Sequence, residues 1–333
     1  MRQGASVVLV DGNMVLNTVA GGPGGEAGTS GGAGQDGQSI GSALFLAGSA
    51  TYEVTGTNVV DITDTIGGGV DAQITGGFTK TGAGALILSG INNYTGGTFV
   101  EAGTLLVHGE LSANQPVTVR NSATLGGTGS IAGTVIVEDT ARLAPGASPG
   151  ILSVGAVQWN AGTFFDVEID GTAGPGLVGG HDGLVVAEAV SLGGATLNVI
   201  FNFTPTPGAS FMIIQQGGVS AVNGQFNGLP EGALFEANGT RLTITYQGGD
   251  GNDVVLTTLE NPSLVVTTTN DVVDAFDGHT SLREALAYAA TLTGPQIITF
   301  SDTDANGAVN FHDGTARTNT LNGTQLAITS DVT

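Results

Sequence analysis

The sequence of 333 residues contains no cysteine, so neither disulfides nor thiolate metal sites are open to it. Whatever fold it takes is held by packing and hydrogen bonds alone. Large anchors are scarce as well. Trp, Tyr and Phe together make 5% of the chain, and Lys, Arg, Asp and Glu make 11%, whereas an ordinary globular domain carries about a quarter charged residues. A catalytic centre has little to draw on. Basic residues are rarest: seven Lys and Arg stand against 29 Asp and Glu, and the net charge of −22 repels phosphate backbones and anionic lipid headgroups. Nucleic acid is disfavoured as a partner. No apolar run is long enough to span a membrane, and residues 7–10 are too short a run for the core of an export signal. Both ends, including the strand-like residues 328–333, read as cut from a longer chain.

What is present is glycine, 57 residues, and hydrophobic residues at 40%. That hydrophobic content separates the chain from disordered Gly/Ser-rich segments, which cannot bury a core. Val, Ile, Leu and Thr recur in runs of three to five broken by Gly, Asn and Asp, the punctuation of many short strands joined by tight turns. Residues 1–75 read as a Gly-rich irregular β region. Within it, residues 21–41 form a tract with no hydrophobic period, and strands are expected at 43–46, 52–54 and 59–62. From Gly76 the pattern becomes regular, with strands expected at 85–89, 98–101 and 104–107 and turns at 90–93, 96–97 and 102–103. Short strands at this spacing with Gly at the corners suit a chain that winds around an axis.

The residues Lys80-Thr81-Gly82-Ala83-Gly84, Tyr94-Thr95-Gly96-Gly97-Thr98 and Ala102-Gly103-Thr104-Leu105 resemble the autotransporter-associated β-strand repeat. Residues 123–131, 143–150, 224–232 and 245–256 resemble passenger regions of the same proteins. The resemblance implies an all-β, right-handed parallel β-helix over residues 76–258, secreted or displayed on the surface of a Gram-negative-type bacterium. A second resemblance begins at Leu264. Ser281-Leu282-Arg283-Glu284-Ala285-Leu286 is similar to the opening of β-helix domains named for a Cys-Ser-Leu-Arg-Glu-Ala-Ile motif, with Thr280 in the place of Cys and Leu286 in the place of Ile. Residues 264–333 are therefore read as the start of a second β-helix domain, beyond a junction at 259–263 where Pro262 interrupts the ladder.

The same stretch carries one short capping helix, expected near residues 281–292. Ser281 and Glu284 have capping-box spacing, Leu282, Ala285, Leu286 and Ala289 share one face, and Gly294-Pro295 stops it. Arg283 reads as a structural ion-pair partner.

Motifs that carry chemistry are weak. Gly248-Gly249-Asp250-Gly251-Asn252-Asp253-Val254-Val255-Leu256 fits the calcium nonapeptide of β-roll proteins. It occurs once, and one turn cannot supply six or more oxygens, so Asp250 and Asp253 are weak calcium candidates beside the plainer reading of a turn. His108, His181, His279 and His312 lack zinc-motif spacing and read as exposed turn residues. Asp166, Glu168 and Asp170 alternate along residues 164–169 and so share one strand face, read as the solvent side opposite Phe165, Val167 and Ile169. No G-x-S-x-G elbow or Walker loop occurs. The expectation is a stalk of stacked coils with no catalytic residue and no cofactor, displaying an interaction surface to an unidentified surface ligand, whether host, glycan or neighbouring cell. The alternatives are a polysaccharide-degrading β-helix enzyme and a calcium-stabilised β-roll exoprotein.

Overall fold

The computed structural model describes residues 7–12, 43–46, 48–68, 76–112, 114–147, 149–322 and 325–326. The Gly-rich tract at 21–41 and the strand pattern at 328–333 lie outside them. The chain divides into two compact units, one of Met1–Phe203, Phe211–Ala233 and Ile244–Leu256, the other of Thr204–Ser210, Leu234–Thr243 and Thr257–Thr333.

In the first unit the short apolar runs form mostly parallel strands. Seven of them, among the described residues, make one parallel sheet in the order Thr196–Phe201, Phe164–Ile169, Arg142–Pro145, Thr124–Gly127, Thr104–Val107, Ala85–Leu88 and Val59–Ile62. A longer sheet runs in parallel through Val7–Val10, Ala50–Glu53, Phe78–Thr81, Thr98–Val100, Val117–Val119, Ser130–Val137, Ile151–Trp159 and Gly183–Val186. The chain visits the two sheets alternately. Phe78, Thr98, Val117, Val135 and Val157 are successive register partners, which sets a return of about twenty residues.

Because strand side chains alternate faces, this return stacks like upon like. Val60, Leu86, Leu105, Leu125, Leu143 and Phe165 are register partners from strand to strand, and all are buried. Each contributes about 1.5–3 kcal/mol by leaving water. A second inward column runs Tyr52, Lys80, Val100, Val119, Val137 and Trp159. The scarce aromatics gather at the column ends. Phe78 lies 5.8 Å from Tyr94 and 6.4 Å from Tyr52, while Trp159 lies 5.3 Å from Phe165, which stacks on Phe226 at 6.0 Å.

The expected strands fall where the alternation placed them, within two residues. The segment 90–93 differs: Ile91–Asn92 is a short strand paired in parallel with Glu110–Leu111. Asn92 faces inward and acts as a piece of backbone, its Oδ1 accepting from Ile66 N–H at 3.0 Å and its Nδ2 donating to the Gly90 carbonyl at 2.9 Å. At the corner between the sheets Gly103 has φ of +67°, and a Cβ there would overlap the carbonyls of Gly82 and Gly84. Glycine is required because coils must stack closely at that turn.

The second unit carries the helix α1, Leu282–Ala289, with both halves of the capping box formed at Ser281 and Glu284. It is shorter than expected, ending at Ala290 before Gly294-Pro295 is reached. Ala285 and Ala289 are buried, whereas Leu282 and Leu286 are half-buried. Arg283 pairs with Asp271 through Nε at 2.8 Å and Nη2 at 2.7 Å. Val265–Val266 pairs in parallel with Thr299–Phe300. In the same unit, Leu234–Ala237 turns back antiparallel through Asn238 and Gly239, both at positive φ, the geometry an Asn-Gly hairpin requires. Here the parallel order expected across 76–258 gives way.

Candidate functional site

The outer face of the seven-stranded sheet carries a connected group of polar side chains. On Phe164–Ile169 the alternation buries Phe165, Val167 and Ile169 and turns Asp166 and Glu168 outward. Register then places Asn198 beside Asp166, and Asn198 Nδ2 donates to Asp166 Oδ1 at 2.7 Å. From the strand on the other side Arg142 Nη1 meets both oxygens of Asp166 at 2.9 Å. Its guanidinium lies over the Phe164 ring at 4.2 Å, a geometry that holds the charge in place by cation–π attraction. Asp170 stands apart, accepting from Asn202 Nδ2 at 2.6 Å.

Asp182 closes one end of the same groove. Its side chain is buried, with Oδ1 accepting from Gly150 N–H and Oδ2 from Glu168 N–H, each at 3.0 Å. It thereby ties both sheets together. Burial pushes its carboxyl up to about 6, two hydrogen bonds from backbone N–H groups pull it down, and the charges of Glu168 and Asp170 push it further up. A Cβ on Gly146 would overlap Asp182 Oδ1, so glycine is what lets the carboxyl in. The groove, about 520 Å³, is lined also by Leu106, Ala144, Pro145 and Ile200.

His181 and Asp182 correct the reading of the histidines as exposed turn residues. His181 is buried, edge-on to Phe211 at 5.6 Å, with Nδ1 at 2.7 Å from the Asp182 carbonyl. Burial lowers its affinity for a proton. The turn excursion between the two sheets folds back at this point, with Ile169 bridged to His181, and that closure takes both side chains inside. The other histidines lie apart. His108 meets Thr128 Oγ1 at 3.0 Å and His312 Nε2 lies 3.2 Å from the Phe300 carbonyl.

The nonapeptide residues also part company. Asp253 is buried and its Oδ1 accepts from Gln216 N–H at 2.8 Å, while Asp250 is exposed in the turn. Among the described residues no group of three or more His, Cys, Asp or Glu is placed to hold a metal ion, and no helix is long and apolar enough to cross a membrane. Sequence reasoning put Asp166 and Glu168 on one outward strand face without reading a site there, and it missed Arg142, Asn198 and Asp182. The missing signal was the coil register, which brings residues 24 and 32 positions from Asp166 into contact with it.

An all-β chain of alternating parallel strands, returning at a near-constant interval and lined by stacked aliphatic columns, defines a repeat protein whose sheets fit a β-helix. Residues 78–107 match the passenger-associated-transport-repeat family, and this segment holds the strands Phe78–Thr81, Ala85–Leu88, Ile91–Asn92, Thr98–Val100 and Thr104–Val107. The chain is 35% identical over 126 residues to an extracellular serine protease of Serratia marcescens, a match that covers 37% of this chain and 11% of that protein. It is 43% identical over 72 residues to the adhesin BmaC autotransporter of Brucella suis biovar 1, covering 21% of this chain and 2% of that protein. The chain thus spans a small part of the curated relatives it matches. Over these stretches the chain is similar to autotransporter passenger proteins, which are secreted or surface-displayed in Gram-negative bacteria.

Proposed function

We propose that this chain is a non-catalytic segment of a surface-displayed stalk, wound as a right-handed parallel β-helix, whose outer faces serve adhesion. The observation that carries the reading is the uniform return of the chain onto itself, in which each circuit repeats the inward column of the last. Handedness follows from strand sterics, since parallel strands in one sheet are connected right-handedly in about 98% of cases. Such a stack extends reach by adding circuits, and it offers one repeated outer surface instead of a single cleft. Against a serine-protease activity for this segment stands the placement of its histidines. Among the described residues none hydrogen-bonds a serine hydroxyl, and a His-activated nucleophile needs that contact. The test is paired. Beads coated with the purified chain should be retained on cell or glycan-coated surfaces, while casein and a panel of polysaccharides remain uncleaved. Turnover of either substrate class, lost on mutation of Asp166 or Glu168, would replace the stalk by an enzyme.

A further inference from the structure

We propose that the groove over Arg142, Asp166, Glu168, Asn198 and Asp182 is a binding site for a neutral saccharide segment. The inference rests on the reading of the stack as a display surface and names what one of its faces would hold. Three observations converge. The polar groups are fixed before any ligand arrives: Asp166 is held by Arg142 and Asn198, Arg142 is braced on Phe164, and Asp182 is buried with a backbone N–H on each oxygen. An ionised carboxylate has about four acceptor positions, so these partners leave capacity for hydroxyl donors. Pre-organised groups of this kind bind without a large ordering cost.

The groove is also two-natured. Leu106, Ala144, Pro145 and Ile200 share it with the carboxylates, and Ile200 is 42% exposed although it faces solvent. A sugar ring has the same division, with hydroxyls around its rim and C–H groups on its faces.

Charge and backbone exclude the competing ligands. Asp166, Glu168 and Asp182 outnumber the single Arg142, so uronate chains and nucleic acids are repelled. An extended peptide gains affinity by hydrogen-bonding an open strand edge; Arg142–Pro145 and Phe164–Ile169 have neighbours on both sides, and the one sheet edge at this groove is the outer side of Thr196–Phe201, away from Arg142 and Asp166.

The test is a heteronuclear NMR titration of the full chain with cellohexaose, maltohexaose and mannohexaose, and with a hexagalacturonate as the anionic control. At least one neutral hexaose should move the Asn198 side-chain amide, saturating between about 0.1 and 10 mM, and leave the Trp159 indole N–H in place. Asn198→Ala, and Ala144→Arg, which fills the floor, should each weaken binding by about tenfold or more with an unchanged melting temperature. Groove resonances unmoved by all three neutral hexaoses, tighter binding of the hexagalacturonate, or shifts that survive in both variants would each overturn the proposal. Loss of bead adhesion with groove binding intact would strike the adhesive reading and leave this one standing.

Discussion

Lys80 donates from Nζ to the Ala102 carbonyl, 2.9 Å away on the next circuit of the chain, and to the carbonyls of Thr81 and Gly82 at 2.7 and 2.8 Å. It is the one lysine in an inward column of Tyr and Val, fully buried, and its ammonium staples two successive corner turns. Burial lowers its pKa to about 8, so it remains charged at neutral pH. Lys80→Met keeps the stem and removes the staple, taking the ammonium from the Gly82 and Ala102 carbonyls and leaving Thr81 only Val54 N–H. Hydrogen bonds to a charged donor are worth about 1.5–3 kcal/mol each and partial rehydration recovers some of this, so a loss of about 2–4 kcal/mol is expected. Urea denaturation checks it: an unchanged midpoint would show that the turns hold without the ammonium.

The strands were legible because their signal is local. Alternation over four residues and Gly at the corners fix Val59–Ile62 and Thr104–Val107 to the residue. The groove was not legible, because its members are joined by register. Nothing in the sequence near Asp166 announces Asn198 or Arg142, and only the closed circuit brings them together. Asp182 and His181 were hidden for a related reason: flanking glycines mark a turn, but whether that turn points outward or folds back under the sheets depends on the excursion that precedes it. The short helix was found from its caps, while its length was overestimated: beyond Ala290 the bonds tighten to i→i−3, Thr291 N–H to the Tyr288 carbonyl and Leu292 N–H to that of Ala289, before Gly294 is reached.

Stability should rise on mild acidification. Asp182 has a folded-state pKa of about 6, above its ordinary value of 3.8, so the folded state binds the proton more tightly. Its contribution is gained as pH falls through about 6 and is complete below the unfolded value. At about 1.4 kcal/mol per unit the ceiling is about 3 kcal/mol. His181 opposes this, because burial lowers its pKa and its neutral form in the fold costs stability as pH falls below the unfolded value near 6.5. Thermal melts from pH 7.5 to 5 on wild type and Asp182→Asn separate the two. Wild type should gain relative to the variant as pH falls, and parallel curves would show that Asp182 does not titrate in this window.

Removing divalent cations should leave the fold unchanged. Asp253 spends Oδ1 on Gln216 N–H, and Asn252 donates from Nδ2 to the Gly218 and Ser220 carbonyls, so these two side chains tie the nonapeptide to residues 216–220. EDTA should not shift the melting temperature, whereas Asp253→Ala, which strips a buried N–H of its partner, should cost about 1–3 kcal/mol. A chelator-dependent drop restored by calcium would reinstate the calcium-stabilised reading.

The last expectation concerns the junction at 259–263. Pro262 is exposed and outside any strand, and it has no N–H to offer a ladder, so we propose a domain boundary here. From Thr257 onward the fully or nearly buried hydrophobic side chains among the described residues are three, Val266, Ala285 and Ala289, and one parallel pair joins Val265–Val266 to Thr299–Phe300. That is fewer than the three or so repeats a solenoid needs to stand alone. The capped helix and the Arg283–Asp271 pair add local order, but a solvent-screened ion pair adds little to stability. The apolar columns of residues 85–169, by contrast, are continuous from circuit to circuit. Opening free energy should therefore fall across the junction, and low-stability regions are cut first by proteases. Brief digestion with a protease of broad specificity should cleave early within residues 258–264, at bonds other than Asn261–Pro262, and leave a resistant fragment on the N-terminal side. Mass spectrometry of the fragments reads the outcome, and equal survival on both sides of Pro262 would show one continuous stack in place of two domains.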